Sequence, residues 1–527
     1  MLAVVSSATL LGLEGRVIRV EVDVAPGLPG FTIVGLADTA LQEARERVRG
    51  ALRNAGYVHP PRRITVNLAP ADLRKAGSSL DLAIAIGILL GSEQVTPGGR
   101  RIGFLGELSL GGEVRRVPGT LSMVTALARR GVRTVAVADA AVAEARLVRG
   151  IDVVGLPSLA AAVELVRAPR TRPRRLSVRR VGLPVDESTV PGPEVAVAGP
   201  GPLGVPDLSE VRGQVEARRG LEIALAGGHG MLMVGPPGVG KTLLARTVPG
   251  LLPALGDEAA LEVTVVASAA GEGPITELIR RPPFRAPHHT ISYAGMVGGG
   301  PRLSPGEVTL ADHGVLFLDE LAEFDRDVLD ALRQPLEEGR ISVVRVGRAT
   351  TFPARFQLIA AMNPCPCGQA GSPDATCRCP WPVVDRYHRR VSGPLRDRID
   401  LWVSMPRVPA RSLVQGPVPE GSAVVSARIA AARAMADERL RTLSGGRRGP
   451  RLVGTALRTA CRLDRAGQDR LVALAESERA SGRGTERLLR VARTIADLAG
   501  DDIVRDGHLD EAAAYGPRSW SPAALAV

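Results

Sequence analysis

The sequence predicts a multidomain protein with three folded units: an α+β unit over residues 1–168, an α/β module on a parallel sheet over 207–408, and an all-α region over 409–527. Three observations carry this. Residues 16–24 alternate apolar and polar side chains at strand period. Between 207 and 408, short apolar runs such as 231–234 and 314–318 alternate with helical stretches, as a parallel sheet requires. Beyond about residue 420 the chain is helical, with Ala- and Arg-rich segments at 423–442 and 485–500. A chain of 527 residues is also too long for one core.

Within the first unit, residues 40–55 read as a helix ending at Gly56, and 64–68 as a further strand. Residues 80–90 form an apolar helix after a Gly-Ser-Ser turn. The segment 169–206 differs in kind, beginning basic and proline-broken and ending rich in Gly, Pro and Val. It reads as a linker. Its arginines suit a solvated tether, with phosphate contact as the alternative. No internal repeat is present.

The first thirteen residues lack a basic stretch ahead of their apolar run and soon alternate as a strand, so no signal peptide is expected. No window of about 18 apolar residues predicts a membrane span. Five cysteines, four of them clustered, do not make a disulfide framework for this length. The expectation is a cytoplasmic protein.

Net charge is +12 and the sequence pI is about 10.4, which favours a polyanionic partner such as nucleic acid. Compositional bias is the competing explanation. Only Lys75 and Lys241 are lysines among 67 basic residues. A surviving lysine marks a place where a compact ammonium does what a planar guanidinium cannot.

Lys241 stands in such a place. The apolar run 231–234 leads into Gly235, Pro236, Pro237, Gly238, Val239, Gly240, Lys241 and Thr242, and then a helix. This satisfies G-x-x-x-x-G-K-[ST] in a strand–loop–helix context, the P-loop. The glycines let successive N–H groups turn toward a phosphate, and the helix start adds its dipole. Lys241 is expected on the β- and γ-phosphates of ATP and Thr242 on Mg²⁺. The run 314–318 ends in Asp319 and Glu320. Asp319 is expected to hold Mg²⁺ through its water shell, and Glu320 to polarise the attacking water. The strand 356–362 ends at Asn363, where a polar residue can touch the γ-phosphate or position the water, the sensor-1 role. Arg396 and Arg398 precede the helical region, where an arginine can reach the next subunit's γ-phosphate. Surface arginine is the alternative in so arginine-rich a chain.

At these residues the sequence resembles the ComM/YifB group of Mg-chelatase-like AAA+ ATPases. The matching strings include Gly27-Leu-Pro-Gly-Phe-Thr-Ile-Val-Gly-Leu36, Pro283-Phe-Arg-Ala-Pro-His-His289 and Asn363-Pro-Cys-Pro-Cys-Gly368, and the likeness spans nearly the whole chain. It implies a Lon-protease-like (ribosomal S5 domain 2-like) N-terminal domain, a central AAA+ module and a C-terminal helical lid. It further implies a homo-hexameric ring in which Arg398 is the better finger. Residues 483–490 resemble the sensor-2 helix of the neighbouring branches, making Arg483 the expected cis sensor and Arg487 the fallback.

Lon-type proteases use a Ser–Lys dyad. By resemblance Ser79 occupies the serine position, but Met123 stands where the lysine belongs, and Lys75 lies too early in the chain. A thioether takes no proton, so no peptidase activity is expected. Cys365, Cys367, Cys377 and Cys379 form two C-x-C pairs; four thiolates on a short loop suit structural Zn²⁺, with free thiols as the alternative. Cys461 reads as a buried small hydrophobe. By resemblance to the chelatase branch, two inserts face a ring's pore: 281–301, with His288 and His289, and the hairpin-like 340–348, whose Arg345 and Arg348 are placed to track phosphates. For the two histidines, loop packing is the competing role and metal binding is disfavoured.

Together these imply an ATP-driven hexameric motor on DNA, serving branch migration or helicase activity in recombination or natural transformation. The alternatives are a motor subunit that inserts Mg²⁺ into a tetrapyrrole and an ATP-regulated protein scaffold.

Overall fold

The computed structural model describes residues 1–35, 39–71, 77–169, 204–300, 303–345, 348–370, 377–443, 452–477 and 480–517. Lys75 and most of the expected linker lie outside these, as do the side chains of Arg345 and Arg348.

The N-terminal region forms a seven-stranded sheet in which Leu2–Leu11 and Glu14–Ala25 pair antiparallel at the centre. The side chains of Ile18, Val20, Val22 and Val24 are buried on one face, as their period-two spacing dictates. Gly30–Val34 and Arg63–Ala69 are parallel neighbours at one edge, joined through the helix Thr39–Asn54. Against the buried face lies the helix Asp81–Gly91, whose residues are almost all inaccessible. A helix apolar all round has to be enclosed, and this one is.

The second sheet has five strands, all parallel, in the spatial order Phe284–Arg285, Val315–Leu318, Gln357–Met362, Met231–Val234, Leu401–Ser404. The strand that feeds the P-loop is first in sequence yet lies between the fourth and fifth. Parallel strands end on the same side, so the loops after Val234, Leu318 and Met362 gather at one carboxyl edge, where α/β sheets bind ligands.

The C-terminal region is helical, its helices including Ser422–Leu443, Gly454–Cys461, Arg465–Ser477, Gly482–Ala499 and Asp506–Ala514. In Gly482–Ala499, residues Leu488, Val491, Ala492 and Ile495 recur at helical spacing and share a core with Met231 and Met233. Ser481 caps this helix by accepting from the Gly484 N–H. Among the described residues no helix is long and apolar enough to cross a membrane.

The first sheet's unit docks on the second through a buried polar seam. Glu144, with no exposed surface, accepts from Ser268 Oγ at 2.6 Å, from the Leu121 N–H at 3.0 Å and from Arg116 at 3.1 Å. Ser268 lies on the helix Asp257–Ala270 of the α/β module, and its carbonyl accepts from the Gly119 N–H at 2.7 Å.

Candidate functional site

Met231–Val234 is wholly buried and delivers the chain to Gly235 at the carboxyl edge. Gly238 (φ +80°) and Gly240 (φ +96°) then take backbone conformations that L side chains resist, and the helix Lys241–Arg246 begins at once. Lys241 is only 8% exposed. Its ammonium donates to the carbonyls of Gly235 (2.5 Å) and Pro236 (2.9 Å) and to Asn363 Oδ1 (3.1 Å). Burial pushes its pKa down to about 8, against the pull of Asp319 and Glu320. Thr242 Oγ1 donates to Asp319 Oδ2 at 2.6 Å. These groups, with Glu320, line a cavity of about 410 Å³, within the usual range for small-molecule sites.

The geometry fits a nucleotide with its metal. The cavity presents a buried cation without a full counter-charge, and a hydroxyl beside a carboxylate where a hard cation takes oxygen ligands. Asn363, at the end of Gln357–Met362, bonds directly to Lys241 and lines the same cavity.

The two arginines lie elsewhere. Arg398 precedes Leu401–Ser404, and its carbonyl lies beside Gly230, at the amino edge of the sheet. The four residues of Met231–Val234 separate that edge from the P-loop by roughly 13 Å. Arg398 pairs with Glu337, and Arg483 reaches the same carboxylate at 3.8 Å. The expectation of Arg483 as a cis sensor therefore needs correcting: its helix packs so that Arg490 meets Asp400 at 3.0 Å, which holds the helix's start at the amino edge beside Arg398. Arg487, the fallback, is 7% exposed and does not line the cavity.

Four cysteine sulfurs lie within 4.8 Å of one another. Cys365 Sγ is 3.3 Å from Cys367 Sγ and 3.6 Å from Cys377 Sγ. Tetrahedral thiolates at metal–sulfur distances of about 2.3 Å have edges of about 3.8 Å, so the cluster needs little adjustment to hold a metal. Its loop touches the P-loop: a Cβ on Gly368 (φ +77°) would come within 2.6 Å of Pro237. His388, buried, meets the Pro364 carbonyl at 2.8 Å and ties the following helix to the same loop.

Ser79 Oγ donates to the Ala8 carbonyl at 3.0 Å, and Met123 is fully buried. Asp81, buried two residues on, pairs with Arg47 at 2.7 Å. Of the inserts, 340–353 is an antiparallel hairpin, and Gly298–Gly299 pairs with Ser304–Pro305. Sequence reasoning assigned no partner to His289; it lies with its Nδ1 3.3 Å from Glu320 Oε2.

Known proteins bear on this geometry. The family described as "Magnesium chelatase, subunit ChlI" matches residues 207–413, with "Subunit ChlI of Mg-chelatase" matching 20–141 and "Magnesium chelatase, subunit ChlI C-terminal" matching 419–516. The chain is 41% identical to the YifB protein of Escherichia coli over 517 residues, covering 98% of this chain and 97% of that protein. It is 40% identical to the competence protein ComM of Haemophilus influenzae, with the same coverage. A shorter likeness, 27% over 168 residues, joins it to the DNA replication licensing factor mcm7-B of Xenopus laevis, covering 29% of this chain and 21% of that one.

Proposed function

This chain belongs to the ComM/YifB family of Mg-chelatase-like AAA+ ATPases, and from that premise we propose that it is a hexameric motor that moves along DNA, acting in branch migration or unwinding. The observation that carries the reading is the division of labour across the sheet. Lys241, Thr242, Asp319, Glu320 and Asn363 gather at its carboxyl edge, while Arg398 and Arg483 share Glu337 at the other. A chain whose arginines sit away from its own nucleotide cavity is built to complete a neighbour's.

In this reading the P-loop N–H groups and Lys241 bind the phosphates of ATP, and Thr242 and Asp319 hold Mg²⁺, which offsets charge on the phosphate oxygens. Glu320 orients water and accepts its proton; Asn363 registers the terminal phosphate through Lys241. Arg398, with Arg483, serves the adjoining subunit once released from Glu337. The pore face comprises the insert around 281–301 and the hairpin 340–353, where Tyr293 and Val344 are exposed. The similarity to a competence protein and, over a shorter span, to a replication licensing factor supports DNA as the track.

The remaining assignments follow the same premise. Residues 1–168 form a Lon-protease-like domain without peptidase activity, supported by Met123 and by a Ser79 hydroxyl committed to a backbone carbonyl. Residues 169–206 link it to the ATPase module at 207–408, and 409–527 form the lid. The four cysteines hold Zn²⁺ and brace the loop between Asn363 and the P-loop. Zinc content of the purified protein checks this: about one per chain is expected, and metal-free protein sinks the assignment.

A second reading has its own support, since all three matching families carry magnesium chelatase in their descriptions. One experiment separates the readings: ATPase rate without DNA and with duplex, single-stranded and four-way-junction DNA, beside Glu320→Gln. Stimulation by the junction, abolished in Glu320→Gln, upholds the DNA motor. Hydrolysis indifferent to every nucleic acid removes DNA as the track and leaves metal insertion or regulation of a protein partner.

A further inference from the structure

The loop that follows Gln357–Met362 brings thiol chemistry up to the nucleotide cavity. Three of its sulfurs are in contact: Cys365 Sγ is 3.3 Å from Cys367 Sγ, and Cys377 Sγ is 3.6 Å from both. A disulfide needs about 2.05 Å, so a contraction of about 1.5 Å or less would join any two of them.

The pairs are not equivalent. Cys365 is fully buried, Cys377 half-buried and Cys367 exposed. An oxidant arriving from solvent therefore meets Cys367 first. Bonding Cys367 to Cys365 would close a ring around Pro366, whose fixed φ leaves the backbone little room to adjust. Cys377, ten residues away in the chain, is under no such restriction.

The same short segment is fastened to the P-loop at both ends. Two residues before Cys365, Asn363 Oδ1 accepts from Lys241 Nζ at 3.1 Å. One residue after Cys367, Gly368 packs so closely on Pro237 that it has no room for a side chain. Between them the Ala370 N–H donates to Cys365 Sγ at 3.4 Å, folding the segment back on its buried sulfur. A shift of Cys367 toward Cys377 thus acts on Gly368 directly and on Asn363 through a few bonds.

We propose that Cys367 and Cys377 are a reversible oxidation site: a peroxide joins them as a disulfide, the four-thiolate set is dismantled, and the loop loses its hold on Lys241 and Pro237, weakening ATP binding. The loss of metal rests on the assignment of Zn²⁺ to these cysteines, as proposed above; the disulfide does not. In the first step the Cys367 thiolate attacks a peroxide oxygen and the O–O bond breaks. With hydrogen peroxide the departing hydroxide takes a proton and leaves as water, and Cys367 becomes a sulfenic acid. The Cys377 thiolate then attacks that sulfur, the S–O bond breaks, and a second hydroxide leaves as water with a second proton. Two thiolates have lost two electrons and one peroxide has gained them. Cys365 and Cys379 remain, half of a tetrahedral set.

The experiment treats the reduced full chain with hydrogen peroxide. It follows zinc released into a chromogenic chelator, cysteine linkage by peptide mass mapping, and affinity for a fluorescent ATP analogue. The expected result is a Cys367–Cys377 cross-link, about one zinc released per chain, and affinity lowered by about 10-fold or more, the scale of one lost hydrogen bond to a charged group. Dithiothreitol with added Zn²⁺ should restore all three. Cys461, buried apart from the cluster, should stay a free thiol. Asn363→Ala should bind the analogue more weakly before any oxidation, and peroxide should then weaken it less than in the wild type; an equal further loss overturns the route through Asn363. A Cys367–Cys377 cross-link that leaves affinity unchanged overturns the inference. Zinc-loaded protein that forms no such cross-link sinks this inference alone, and metal-free reduced protein that still forms it sinks the zinc assignment alone.

Discussion

Two regions of this molecule bury a charged group beside a hydroxyl residue, and they treat it in opposite ways. In the N-terminal unit Asp81 has no exposed side chain, and burial pushes its pKa up to about 6 even with Arg47 paired to it at 2.7 Å. The nearby Ser79 hydroxyl is spent on the Ala8 carbonyl. In the α/β module Lys241 is pushed down to about 8, and its contacts are neutral oxygens lining an open cavity. The first region answers its polar groups from within the fold. The second leaves a charge for a ligand to answer. The two regions differ less in their residue types than in whether those groups are already satisfied.

The sharpest way to break this contrast is at the second region. Glu320→Gln should cut ATPase by about 10³-fold while leaving nucleotide binding in place, measured by turnover beside binding of a fluorescent ATP analogue. Substantial residual turnover would erase the distinction between the regions. Next in size is Asp81→Ala, which leaves Arg47 and the Leu108 N–H without their acceptor. Breaking a buried pair costs about 3–5 kcal/mol, and Arg47 is 20% exposed, so the low end is expected in denaturant unfolding.

A titration sharpens the comparison further. Free Lys241 loses its proton around pH 8, and bound polyphosphate restores the charge by raising the pKa, so above that pH ATP binding should take up protons. At about pH 8.5 the uptake should be several tenths of a proton per site, read by calorimetry in buffers of different ionisation enthalpy. Lys241→Arg should show none, because guanidinium stays charged. The smallest effect is expected at Ser79→Ala: casein digestion absent before and after, and stability lowered by about 1 kcal/mol for one lost buried hydrogen bond. Serine-dependent digestion would show that the first region still works.

What the sequence displayed of these regions follows the range of the interactions. The P-loop is local: glycine torsions, a strand before and a helix after lie within about a dozen residues, and the structure places them as read. Helices bounded by chain punctuation were equally legible. Gly56 and Gly500, both at positive φ, close Thr39–Asn54 and Gly482–Ala499. The edge of the sheet on which Arg483 falls was not legible, because it depends on how Gly482–Ala499 packs against Met231–Val234, across some 250 residues. Nor was the meeting of His289 with Glu320, set by the register of two parallel strands. Hydrophobic period fixes which face of an element is buried, but not which end of it meets which neighbour.

The seam at Glu144 has a mechanical consequence. Prying the N-terminal sheet from the helix Asp257–Ala270 would break the bond from Ser268 Oγ to Glu144 and that from the Gly119 N–H to the Ser268 carbonyl, the first, made to a charged group, costing about 1.5–3 kcal/mol. The seam thus ties the N-terminal unit to the helix Asp257–Ala270 through bonds that any relative movement at this contact has to break.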